Sequence, residues 1–169
     1  VNNYFKNYKK KIIKLIEKTD LNKMTKVIDV MINAFKNDNT IYVCGNGGSA
    51  ATASHMQADF SFFIRYFTDF RPKVKALTDN IPLISAIGND INFDQIFVEQ
   101  LKGNFKKGDV LICISASGNS KNLINCVEYV KKNNGISIAF LGFDGGKILE
   151  TCDISLHNQG KNKDYGPIE

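Results

Sequence analysis

Two histidines in 169 residues leave little room for a structural zinc site built from cysteine and histidine. None of the four cysteines, Cys44, Cys113, Cys126 and Cys152, stands in a Cys-x-x-Cys pair, and Cys44 and Cys113 sit inside apolar, strand-like runs. Cysteines placed this way behave as small buried hydrophobes and point to a reducing cytoplasm rather than to chemistry. No run of about 18 apolar residues is present, so no membrane span is expected. The lysine-rich start, residues 1–18, lacks a compact apolar segment followed by small residues and does not read as a secretory signal. Charge is not one-sided either, since 22 Lys+Arg against 17 Asp+Glu give a net charge of +5. Much of the excess falls on Lys6, Lys9, Lys10, Lys11 and Lys14 with no nucleic-acid-binding motif beside it. A solvated lysine face is expected there, and no nucleic-acid partner.

What is present reads as one α/β domain over residues 1–169. The composition, 43% hydrophobic and 23% charged, is that of a globular chain with a sizeable core. Residues 3–18 carry a helical stripe of Phe5, Tyr8, Ile12, Leu15 and Ile16. Residues 21–37 repeat it with Leu21, Met24, Ile28, Met31 and Phe35 behind an N-cap at Asp20. From residue 39 onward strands and helices alternate. Strands are expected at residues 41–44, 73–77, 110–114, 136–141 and 154–156, and helices after residue 49 and over 93–101 and 123–132. Gly88-Asn89-Asp90 reads as an interruption, and Gly135 as the stop of the 123–132 helix. Apolar strands separated by helices imply a mainly parallel sheet covered on both faces.

In such a sheet a ligand sits outside the carboxyl ends of the strands. Two strands end there in loops that open helices. One is Gly45-Asn46-Gly47-Gly48-Ser49, whose glycines permit unusual backbone conformations and close approach. The other, Ser115-Ala116-Ser117-Gly118-Asn119-Ser120, places three hydroxyls at a helix start. Helix N-termini present N–H groups and a positive dipole end, which together with hydroxyls suit a phosphate dianion. Singly, the first loop is also compatible with a tight βα turn and the second with helix capping. Neither has the G-x-x-x-x-G-K-[ST] or G-x-G-x-x-G spacing, which disfavours a nucleotide cofactor. A phosphate ester is the expected ligand.

Proton-moving groups lie next to the first loop. His55 and Asp59 are four apart on the helix that leaves it and share a face. Asp59 there suits a general base or, with His55, a metal pair. Asp90 is a further polar candidate, whereas His157 is expected at the surface.

These segments resemble the SIS (sugar isomerase) domains, and within them the phosphoheptose isomerases. The matching stretches are IYVCGNGGSAATASHMQAD (41–59), LTDNIPLISAIGNDINFDQIFVEQ (77–100), DVLICISASGNS (109–120) and GFDGGKILETCD (142–153). The resemblance implies a three-layer, flavodoxin-like sandwich with a five-stranded parallel sheet. It also implies two preceding helices, residues 1–38, that pack into a homotetramer. It implies a cytoplasmic isomerase that converts sedoheptulose 7-phosphate to D-glycero-D-manno-heptose 7-phosphate through an enediol, feeding lipopolysaccharide or capsule synthesis. Carried over, Ser49, Ser115, Ser117 and Ser120 hold the phosphate with the Gly47–Gly48 backbone, and Asn46 and Asp90 contact the sugar. His55, Asp59 and Glu169 match zinc positions, and Asp59 falls where many members have the catalytic glutamate. Ala116 replaces a frequent threonine. A further helix carrying the partner histidine is expected beyond Glu169. The alternative is a non-catalytic SIS protein that binds phosphosugars or a replication initiator.

Overall fold

The computed structural model describes residues 2–160. Helices α1 (Asn2–Glu17) and α2 (Leu21–Lys36) come first. Asp20 starts α2 as expected, its Oδ1 accepting from the N–H groups of Asn22 and Lys23, both at 3.0 Å. Val27, Met31 and Ala34 recur at helical spacing and are the buried residues of α2. The stripe of α1 buries none of its residues, and Tyr4, Phe5 and Ile16 stand exposed.

The chain then alternates. Strand β1 (Thr40–Gly45) leads to α3 (Gly48–Asp59), a π-helical turn over Phe60–Ile64 and a short α4 (Arg65–Phe67). There follow β2 (Lys73–Ala76), α5 (Ile81–Asp90), a 3-10 turn at Phe93–Gln95, α6 (Val98–Lys102) and β3 (Val110–Ser115). The last described elements are α7 (Lys121–Lys132), β4 (Ile136–Leu141), α8 (Gly146–Thr151) and β5 (Ile154–His157). Among the described residues the strands form one parallel sheet in the order β2-β1-β3-β4-β5. Side chains alternate across it. Ile41, Val43, Val110, Ile112 and Ile138 pack with the α2 stripe and Ala53 of α3. Tyr42, Cys44, Leu111, Cys113, Ala139 and Leu141 pack on the other face against residues of α5, α6, α7 and α8. This is the expected α/β sandwich, with two helices before the sheet.

Several local expectations needed correction. Gly88-Asn89-Asp90 closes α5 instead of interrupting the chain. Residues 93–101 break into a 3-10 turn and α6, and α8 had no strong sequence signal. The residue that ends α7 in the left-handed conformation is Asn134, with φ 57°. Gly135 is demanded by space, since a Cβ there would lie 2.2 Å from the Phe105 ring. His157 is half-buried, with Nε2 3.1 Å from the Phe143 carbonyl oxygen. The thiols behave as the sequence implied. Cys44, Cys113 and Cys126 are buried, and burial pushes the Cys126 thiol up and that of the half-buried Cys152 to about 11.

At the opposite edge, buried Asp109 ties β3 to β1. Its Oδ1 accepts from the Thr40 N–H at 2.9 Å and its Oδ2 from the Lys106 N–H at 2.8 Å. Asp109→Ala leaves both N–H groups without this acceptor and should cost about 2–4 kcal/mol. Asp109→Asn keeps one carbonyl acceptor and should lose less. Urea unfolding measures both, and an unchanged midpoint in the alanine variant would show that these bonds do not hold the sheet.

Candidate active site

The sheet winds outward in opposite directions from β1 and β3, so the connections leaving these neighbours run to opposite faces. Helix α3 leaves β1 toward one layer and α7 leaves β3 toward the other, and a crevice opens between their starts. Both suspected ligand loops lie there.

The β1–α3 loop is shaped by its glycines. A Cβ on Gly45 would lie 2.6 Å from the Ser49 carbonyl oxygen, so only glycine lets the helix start this close to the strand. Gly47, the N-cap of α3, has φ 58° and ψ −124°, and no side chain caps the helix. Ser49 is buried in the first turn. The β3–α7 loop holds itself. Ser115 Oγ accepts from the Gly118 N–H at 3.0 Å, and Ser117 Oγ from the Asn119 N–H at 3.3 Å. Each hydroxyl keeps its own O–H to donate. Ser120 is the N-cap of α7 but makes no side-chain cap bond, which argues against a purely capping role.

The serine loop also locks onto the turn before α8. Gly118 has φ 63°, and a Cβ there would come within 1.9 Å of the Gly145 carbonyl oxygen. The Ile148 N–H donates to the Gly118 carbonyl at 3.0 Å. Asn119 spans the join, donating to the Ser117 carbonyl at 3.1 Å and accepting from the Lys147 N–H at 3.0 Å. Between the loops, Asn46 and Asn122 exchange amide hydrogen bonds of 3.0 and 2.9 Å.

Two adjoining clefts border this edge. One, of about 340 Å³, is lined by Ser49, Thr52, Ser115 and Ala116 over an apolar floor of Ile114, Phe140 and Leu156. The other, of about 400 Å³, is lined by His55, Asp59, Met56 and Phe60. Both share Thr52, Ile114 and Phe140, so the serine end and the acid end meet along α3. His55 Nε2 lies 3.3 Å from Asp59 Oδ2, with the side chains 75% and 46% exposed. The helix turns from α to π at Phe60, immediately after Asp59.

The structure thus gathers Ser49, Ser115, His55 and Asp59 along one cleft system. Gly47 and Gly48 form the start of α3, and Ser117 and Ser120 shape the neighbouring loop. Asn46 is turned to Asn122, and Asp90, absent from the lining of these two clefts, stands exposed at the end of α5 with its Oδ1 accepting from Asn89 at 2.8 Å. Glu169 lies outside the described residues. An imidazole nitrogen and a carboxylate oxygen are zinc donors. Among the described residues no third His, Cys, Asp or Glu gathers with His55 and Asp59, so they supply two donors of such a set. The sequence reading missed Asn119, Asn122 and the Gly145–Gly146 turn. Asn122 had a signal, because it stands on the Cys126–Val130 stripe where an apolar residue belongs.

Gly118→Ala tests the lock between loop and turn. Left-handed strain and the clash with Gly145 should together cost more than about 2 kcal/mol and weaken phosphate binding. Thermal unfolding and calorimetric titration with inorganic phosphate measure both, and wild-type values would dismiss the lock.

Residues 3–142 match the SIS domain family (SIS_2). The phosphoheptose isomerase of Aliarcobacter butzleri (strain RM4018) is 41% identical over 154 residues, covering 90% of this chain and 79% of that protein. The structure of phosphoheptose isomerase GmhA from Neisseria gonorrhoeae superposes with a TM-score of 0.87 at 30% identity, covering 99% of this chain and 87% of that one. A phosphoheptose isomerase from Francisella tularensis superposes with a TM-score of 0.82 at 27% identity, covering 95% and 84%. This chain therefore belongs to the SIS domain family and, within it, to the phosphoheptose isomerases.

Proposed function

We propose that this chain interconverts sedoheptulose 7-phosphate and D-glycero-D-manno-heptose 7-phosphate, in the cytoplasm, for heptose-containing lipopolysaccharide or capsule. The observation that carries this reading is the pair of helix starts, α3 and α7, side by side without side-chain caps, next to the His55–Asp59 pair. Helix N–H groups and the hydroxyls of Ser49, Ser115, Ser117 and Ser120 would bind the phosphate without a lysine or arginine. The non-catalytic alternative is not favoured, because the relatives that match over most of the chain are named isomerases.

In the proposed path Asp59 takes a proton from C1 of the ketose as the C2 oxygen gains one, giving the enediol. Returning a proton to C2 while the C1 hydroxyl loses its own yields the aldose. His55, 3.3 Å from Asp59 Oδ2, orients that carboxylate. Aspartate is one methylene shorter than the family's glutamate, so the substrate must approach α3 closely or be reached through a water. Zinc is proposed at His55 and Asp59, with Glu169 as a further donor, and when bound it would polarise the substrate carbonyl. A homotetramer is proposed as well. It is supported by the unburied stripe of α1 and by the exposed Phe62, Phe63, Tyr66 and Phe67 beyond Asp59, since apolar patches of this kind mark interfaces.

Proton NMR in deuterated water, with and without zinc, tests the reading. The aldoheptose phosphate should appear with deuterium at C2, whereas no conversion by the complete protein would discard the isomerase. Asp59→Asn should lower turnover by about 10²–10⁴-fold and spare binding. Wild-type turnover in that variant would remove Asp59 as the base.

A further inference from the structure

The Asn46–Asn122 pair joins the β1–α3 loop to the first turn of α7. Each Nδ2 donates to the other's Oδ1, at 3.0 and 2.9 Å. This reciprocity couples the two amide orientations, because turning one amide over alone would set oxygen against oxygen and nitrogen against nitrogen. Asn122 is 2% exposed and sits in the first turn of α7 among Leu123, Cys126 and Val127. A primary amide on such a stripe is costly unless paired. Its pairing comes from outside its own helix, in the β1–α3 loop.

We propose that Asn122 is a positioning residue for the sugar end of the substrate. It holds Asn46 in one rotamer, with its amide orientation coupled to that of Asn122. A primary amide has two N–H groups and two carbonyl lone pairs, and the pair uses one of each. The second N–H and lone pair of Asn46 are thereby preset for substrate hydroxyls, and ordering them in advance removes an entropy cost from binding. The serine loop does not rely on this pair. Its shape comes from the Ser115–Gly118 and Ser117–Asn119 bonds and from the contact with the α8 turn. Loss of Asn122 should therefore loosen the sugar contact and leave the phosphate contact in place. The assignment rests on the isomerase reading above.

The test is calorimetric titration of the full chain with sedoheptulose 7-phosphate and, separately, with inorganic phosphate. The variants are Asn122→Ala, Asn122→Leu, Asn46→Ala and the double alanine variant. Asn122→Leu keeps the number and branching of side-chain heavy atoms on an apolar stripe and guards against loss of the fold. Either Asn122 variant should weaken the heptulose phosphate about tenfold and leave inorganic phosphate within about twofold, the scale of one lost hydrogen bond. The double variant should bind no more weakly than Asn46→Ala, because Asn122 acts through Asn46. Wild-type affinity in the Asn122 variants overturns the assignment. So do a parallel loss of phosphate affinity, losses that multiply in the double variant, or unfolding of both Asn122 variants. A wild-type chain that binds phosphate but not the heptulose phosphate overturns the isomerase reading along with it. A wild-type chain that binds the sugar while the Asn122 variants match it overturns this assignment alone.

Discussion

Parallel pairing of β1 with β3 sets where everything else at the ligand edge can be. The register puts Cys44 beside Cys113 and Gly45 beside Ile114, so the two strands end level with each other. Because the sheet grows outward from this pair, α3 and α7 leave toward opposite layers. Their N-termini are then brought together without being packed on each other. A parallel sheet has to pair its strands over their length to satisfy backbone groups in a dry core, so this geometry is enforced from below. Asp109 supports it at the other end, where a buried carboxylate takes N–H groups from both Thr40 and Lys106.

On that frame the ligand edge is preorganised by short-range bonds. Two of the serines fold their hydroxyls onto the backbone of their own loop, and Gly118 lets the loop nest against Gly145. Asn119 ties the same loop to the α8 turn, and Asn122, in the first turn of α7, reaches the β1–α3 loop. Donors held in place before the ligand arrives need little reorganisation, which is how neutral hydroxyls and amides can serve a dianion. The acid end differs. His55 is largely open to solvent and Asp59 about half so, and a pair exposed to this degree adds little to stability. Its placement beside the serine cleft is better explained by chemistry than by folding.

The departure from α-helical geometry at Phe60 falls between these parts. A π-turn changes which residues share a face, and here it separates Asp59, which lines a cleft, from the aromatic group of Phe62, Phe63, Tyr66 and Phe67. Phe62 stacks with Tyr66 and Phe63 with Phe67 at 5.7 and 6.3 Å between ring centres, forming an exposed apolar surface on the same segment that carries the candidate base. Irregular turns of this kind recur at functional sites.

Periodicity and punctuation by themselves determined most of the architecture. The stripes of α1 and α2, the apolar strands and the glycine and serine loops were legible because each depends on local spacing, and the Ile41–Asp59 and Asp109–Ser120 motifs carried the family. Only the tertiary structure decided how these pieces meet. That Asn46 faces Asn122 and that Gly118 must fit against Gly145 both depend on contacts between residues distant in the chain. The capping of α7, which ends at Lys132 as expected, has the same origin. A glycine after a helix suggests a left-handed residue, but Asn134 takes that conformation and Gly135 is required by the Phe105 ring packed from thirty positions earlier. Local sequence reports conformational preference, whereas space and hydrogen-bond partners are supplied by the fold.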